Sequence, residues 1–230
     1  MLFAITYTDR ELERLMTRIP NFRPRGYGVF VFNKFEYTAK DCDCRYCLHW
    51  HKGIGCTEGK CPYMKERITA GAVPIKEALL EAFSPVNHFA FQLRLRHHIR
   101  ESEENTMQFK NDKHKEAFTE AVRKMNKKDN ALMAAVYLFT ADGRLWNQVS
   151  RYVDRCEIAY DRIRISNTTE AGYALFCCAK DLAIGTKHLT ISDLADSDLI
   201  PPKLFGVICN AMAIRRYGLG AIQYKGKEKT

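Results

Sequence analysis

No stretch of the 230-residue chain approaches the ~20 consecutive apolar residues that a bilayer-spanning helix requires, so the sequence does not read as a membrane protein. The opening residues, MLFAITYTDRELER, lack the basic start, apolar centre and small-residue cleavage site of a secretory signal, and a cytoplasmic chain is the expectation. A Gly-rich phosphate loop of the Walker type is missing, and so is a serine nucleophile elbow. Acidic charge is in deficit: 27 Asp and Glu stand against 36 Lys and Arg, giving a formal net charge of +9. A field of that sign attracts polyanions or an acidic protein surface, although steering alone is not recognition.

Nine cysteines are present, and in a reducing compartment a cluster of thiols points to metal before it points to disulfides. The segment CDCRYCLHWHKGIGCTEGKC sets Cys44 and Cys47 two residues apart, then Cys56, then Cys61. Two close pairs joined by a short loop suit a tetrahedral ion, and Gly53 and Gly55 let that loop bend. The reading is one structural zinc held by Cys44, Cys47, Cys56 and Cys61. Cys42, His49 and His51 compete for a place in that set. Four protein ligands leave no open coordination position for a substrate, which makes the ion structural.

The pattern along the chain is mostly helical. Thr8 followed by Glu11 forms a capping box, with Leu12, Leu15, Met16 and Ile19 on one face, so a first helix is expected over 8–19. GVFVFNKFEY reads as strand before the cysteines. Short helices are expected after Pro62 and after Pro74, the first stopping at Gly71 and the second at Ser84-Pro85. Residues 88–100 alternate like a strand yet also fit helical spacing through Phe91, Leu95 and Ile99, and helix is the reading taken. The polar run from Glu101 to Lys113 has little to bury and is the expected boundary. Beyond it come helical segments containing Ala117–Met125, Leu132–Phe139, LWNQVSRYV and AGYALFCCAKDLAI, then a final pair, TISDLAD and PKLFGVICNAMAIRRYG.

Several motifs compete for the chemistry. His49-Trp50-His51 has the form of the metal-binding strand of single-strand nicking enzymes, but it lies inside a tight cysteine loop, not a central strand. His114-Lys115-Glu116 echoes a zinc-deaminase signature without the Pro-Cys-x-x-Cys that would supply the thiolates. Cys177, Cys178 and Cys209 sit in apolar helices and read as core; Cys156 is given no role. The last two helices have the outline of a helix-turn-helix, yet the second is apolar along Leu204, Val207, Ile208, Ala211 and Met212, more like a core helix than a groove reader. Arg94, Arg96, His97, His98 and Arg100 gather near Phe89 and Phe91, an arrangement suited to phosphate contacts. Glu101, Glu103 and Glu104 follow at once, so a solvated helix with internal ion pairs is the competing reading.

The combination of CRYC…GC…KCPYMKERITAG with ALMAAVYLFTADGRLW, GYALFCCAKDLAIGTKHLTISDL and LIPPKLFGVICNAMAIRRYG resembles cysteine-cluster proteins carried by integrative elements and phages of Gram-positive gut bacteria. The resemblance runs from about Asp41 to Gly218. It implies a setting and no activity: in that setting small proteins regulate the element or block host defences, as anti-CRISPR inhibitors do. A basic chain departs from the acidic DNA-mimic inhibitors and would bind guide RNA, DNA or an acidic protein patch.

The expected fold is α+β and mostly helical: a small zinc-stabilised α/β module over 1–100, a linker or exposed loop over 101–113, and a helical domain over 114–230. The expected function is binding, by a non-enzymatic accessory protein of a mobile element that contacts nucleic acid or a nucleoprotein. Arg94, Arg96, Arg100, Arg215 and Arg216 would supply the phosphate contacts. The alternatives are a protein-binding inhibitor of a host defence nuclease and, third, a metal-dependent nuclease.

Overall fold

The computed structural model describes residues 38–101, 109–125 and 129–219, all within one compact unit, Glu36–Thr230. The expected helix at 8–19 and strand at 28–37 lie outside the described residues, as does most of the expected boundary at 101–113. Among the described residues the protein is mostly helical, with one two-stranded sheet.

The cysteine segment comes first. Two short 3₁₀ turns, Ala39–Cys42 and Cys44–Tyr46, lead into a hairpin of β1 (Trp50–His51) and β2 (Gly55–Cys56), paired antiparallel with Trp50 opposite Cys56. Gly53 and Gly55 both have φ near +88°, a backbone region that side-chain-bearing residues seldom enter, so glycine makes this turn possible. Then come α1 (Met64–Thr69), α2 (Ile75–Phe83) and α3 (Phe89–Glu101). The bounds of α2 follow local signals: Pro74 stands at its N-cap, and Ser84 closes it just before Pro85.

The body is built from α4 (Asp112–Lys124), α5 (Asn130–Thr140), α6 (Gly143–Val149), α7 (Glu170–Ile184), α8 (Ile191–Ala195) and α9 (Pro202–Tyr217). Asn111, Asp129, Asp142, Thr169 and Thr190 each cap a helix with a side-chain oxygen, satisfying amide donors that lack an intrahelical acceptor. At the centre lies α5, where every residue from Leu132 to Thr140 is buried; it packs chiefly against α7 and α9. In turn α9 is buried along most of its length, from Leu204 through Tyr217. A helix covered on nearly all sides has no polar face to lay in a DNA groove, so the helix-turn-helix outline serves as core. Cys178 and Cys209 pack in that core, as their apolar surroundings predict. One hydrophobic cluster draws on Ile68, Val73 and Phe83 before residue 101 and on α4 to α9 after it.

Candidate functional site

Two groups of residues carry the chemistry singled out by the sequence. In the first, the backbone of the cysteine segment is tightly turned. The Cys47 amide donates to the Cys44 carbonyl at 2.9 Å, the Trp50 amide to Cys47 at 3.1 Å, and the Thr57 amide back to His49 at 2.9 Å. Asp43 accepts from the Arg45 amide at 2.9 Å and from its guanidinium, fixing the residue between Cys42 and Cys44. Cys42, Cys44, Cys47 and Cys61 are half-buried and Cys56 is exposed; all are free thiols.

From α1, Arg67 reaches into this segment and donates through Nη1 to the Cys61 sulfur at 3.8 Å. Its Nε is buried without a partner among the described residues. Burial pushes the Cys42 thiol up, against the pull of the nearby Arg67 guanidinium. The competing imidazoles are placed differently: His49 Nδ1 lies 3.1 Å from a Glu58 carboxylate oxygen, while His51 is exposed at the end of β1. Its strand is two residues long in a two-stranded hairpin, unlike the central strand a nicking enzyme needs. Four thiols in one short segment are a soft donor set suited to zinc. Among the described residues, however, no three His, Cys, Asp or Glu side chains are gathered closely enough to hold an ion.

The second group is basic, and its five arginines have different fates. Arg94 is committed to the fold: Nη1 donates to the carbonyls of Leu194 and Asp196, each at 2.7 Å, and Nη2 donates to that of Ile200. Its guanidinium also lies over the Phe205 ring. At the end of α9, Arg215 donates through Nε to the Leu182 carbonyl at 2.8 Å, and Arg216 through Nη1 to that of Ala82 at 3.5 Å. Arg96 and Arg100, by contrast, are exposed on α3, and among the described residues neither has a hydrogen-bond or ion-pair partner. Beside them His97 pairs with Glu101, the last residue of α3, at 3.2 Å, an internal ion pair of the kind expected from the acidic residues that follow Arg100.

The sequence gives no sign of a pocket of about 610 Å³ that includes Tyr173, Cys177, His188 and Leu199 among its walls. His188 Nδ1 lies 2.8 Å from Asp181. Burial works against the Asp181 charge, but the His188 and Leu189 amides, the His188 ring and the Thr186 hydroxyl hold its carboxyl below the usual range. That carboxylate therefore fastens the loop after α7. Burial pushes the Cys177 thiol up. A thiol kept protonated is a poor nucleophile, so the constellation holds a loop and does not activate sulfur.

No family model, curated protein or solved structure matches the chain.

Proposed function

We propose that this protein is a non-enzymatic accessory protein of a mobile element, working in the cytoplasm, that binds nucleic acid or a nucleoprotein through the exposed face of α3. The observation that carries the reading is the pair Arg96 and Arg100, one turn apart, exposed and without partners among the described residues. Guanidinium groups held this way are ready to replace the counterions of phosphates. Arg94, Arg215 and Arg216 serve the fold in this reading, each already engaged with backbone carbonyls. The net charge of +9 supplies the long-range attraction. Among the described residues no helix is long and apolar enough to cross a membrane. Zinc, held by Cys44, Cys47, Cys56 and Cys61, would order a cysteine segment too polar to fold by hydrophobic burial alone.

A protein partner is the second reading, favoured by three apolar side chains on the cysteine segment. Tyr46, Leu48 and Ile54 are 85%, 77% and 79% exposed, more than solubility explains and suited to anchoring in a partner such as a defence nuclease.

Binding of labelled oligonucleotides across a salt series separates the two. Phosphate binding should weaken steeply with salt, and replacing Arg96 and Arg100 by alanine should lower the log–log slope by about two. Absence of any salt-dependent binding, together with a stoichiometric protein that copurifies after nuclease treatment, would transfer the assignment to the inhibitor reading.

A further inference from the structure

The exposed face of α3 is not only basic. Phe89 is 83% and Leu93 59% exposed, although Phe91 and Leu95 on the same helix are fully buried. At 3.6 residues per turn, Phe89, Leu93, Arg96 and Arg100 fall within a stripe about 60° wide and about 16 Å long. Its apolar end lies at the N-terminus of the helix and its cationic end at the C-terminus. Glu101 and His97, paired with each other, flank the cationic end; the stripe itself contains no carboxylate.

We infer that the partner is single-stranded nucleic acid, with a base stacked on Phe89 beside Leu93 and the phosphates alongside it held by Arg96 and Arg100. The inference rests on the nucleic-acid reading above and narrows it. A duplex offers phosphates to the two arginines but keeps its base faces stacked, so it gives Phe89 nothing to lie against. Unstacked bases have exposed π-faces of every sequence, and an aromatic ring next to cations is the arrangement by which such strands are held without sequence preference. A solubilising surface would not put an aromatic ring that is 83% exposed in line with two unpaired arginines.

The test uses the full-length protein and 20-mers of uridine, of thymidine and of a mixed-sequence duplex, with affinity measured over a salt series. Both single strands should bind at least tenfold more tightly than the duplex. Phe89→Ala should weaken single-strand binding about tenfold and leave duplex binding unchanged, while Phe89→Trp should retain it. Preference for the uridine or the thymidine strand tells RNA from DNA. Since Phe89 is mostly exposed, the unfolding midpoint of Phe89→Ala should match that of the parent. Salt-dependent binding that is equal for duplex and single strand, or indifferent to Phe89→Ala, would overturn the single-strand inference and leave the nucleic-acid reading in place. No binding of any oligonucleotide at low salt would remove the reading beneath it as well.

Discussion

The guanidinium of Arg94 lies 4.4 Å from the centre of the Phe205 ring, and the same group gathers the carbonyls of Leu194, Asp196 and Ile200. One side chain of α3 thus closes the end of α8 and the turn that leads into α9. Carbonyls at a helix end have no intrahelical donor, and a planar fork of N–H groups satisfies several at once. Arg94→Ala should therefore destabilise the protein by about 2–4 kcal/mol, and Arg94→Lys should recover only part of that, because an ammonium cannot reach three carbonyls while stacking on a ring. Arg96→Ala should cost less than about 0.5 kcal/mol. Urea midpoints at fixed pH would check both, and equal effects at positions 94 and 96 would contradict the division of labour between them.

Local signals made much of the helical frame legible. Pro201-Pro202 and Gly218 bracket α9, and the Phe91–Leu95 spacing marks α3 as a helix in spite of the alternation of Phe89, Phe91, Leu93 and Leu95. The fate of Arg94 was not legible, since its acceptors lie about a hundred residues away and become neighbours only when α3 packs on α8. Likewise His114 looks from sequence like a fragment of a catalytic signature, whereas α4 turns it into the core against Tyr137. The cysteine spacing announces a soft-metal donor set, but spacing does not say which thiols converge.

His114 itself makes stability depend on pH. Its Nδ1 accepts the Lys110 amide at 3.1 Å, which leaves Nε2 to donate to the Tyr137 carbonyl at 2.9 Å. The neutral ring satisfies both bonds, whereas a second proton would face an N–H donor. Burial, against the Tyr137 carbonyl bond, lowers its pKa from 6.5 to about 4. Because the unfolded chain takes up the proton first, the stability contributed by the neutral ring is complete above the unfolded pKa. It is lost as pH falls from about 6.5 to about 4, by roughly 3 kcal/mol. Urea unfolding at several pH values should show that loss, and His114→Gln should flatten this part of the profile. An unchanged profile in the variant would locate the acid sensitivity elsewhere.

The proposed zinc makes two predictions, one for its ligands and one for Arg67. Cys47→Ser is expected to abolish stoichiometric zinc and to unfold the segment, whereas Cys42→Ser should keep the ion. In that proposal the Arg67 guanidinium beside Cys61, whose Nε lacks a partner among the described residues, would be a counter-charge for the thiolates. Arg67→Met should leave zinc stoichiometry intact but speed its release to a chelator about tenfold, the size of effect that removing a hydrogen-bond partner of the ligands produces. Elemental analysis and a chelator time course would check this; full zinc content in Cys47→Ser would dismiss the ligand set.

Two glycines at helix starts should respond in opposite directions. Gly172, in the first turn of α7, donates its amide to Thr169 Oγ1 at 3.0 Å. A Cβ there would meet Thr168 Cγ2 at 2.6 Å and Thr169 Oγ1 at 3.3 Å. Thr169 also lies 3.5 Å from Asp142, whose other oxygen caps α6 through the Leu145 amide at 2.9 Å. Displacing the two threonines thus disturbs the start of both helices, and Gly172→Ala should destabilise the protein by roughly 1–3 kcal/mol. Gly143, at the start of α6, has nothing within 4 Å of the same added atom. There the gain is in the unfolded chain, which loses conformational freedom, so Gly143→Ala should stabilise by about 0.5–1 kcal/mol. Thermal midpoints of the two variants should fall on opposite sides of the parent, and a stabilised Gly172→Ala would mean that the threonine cap moves aside without loss.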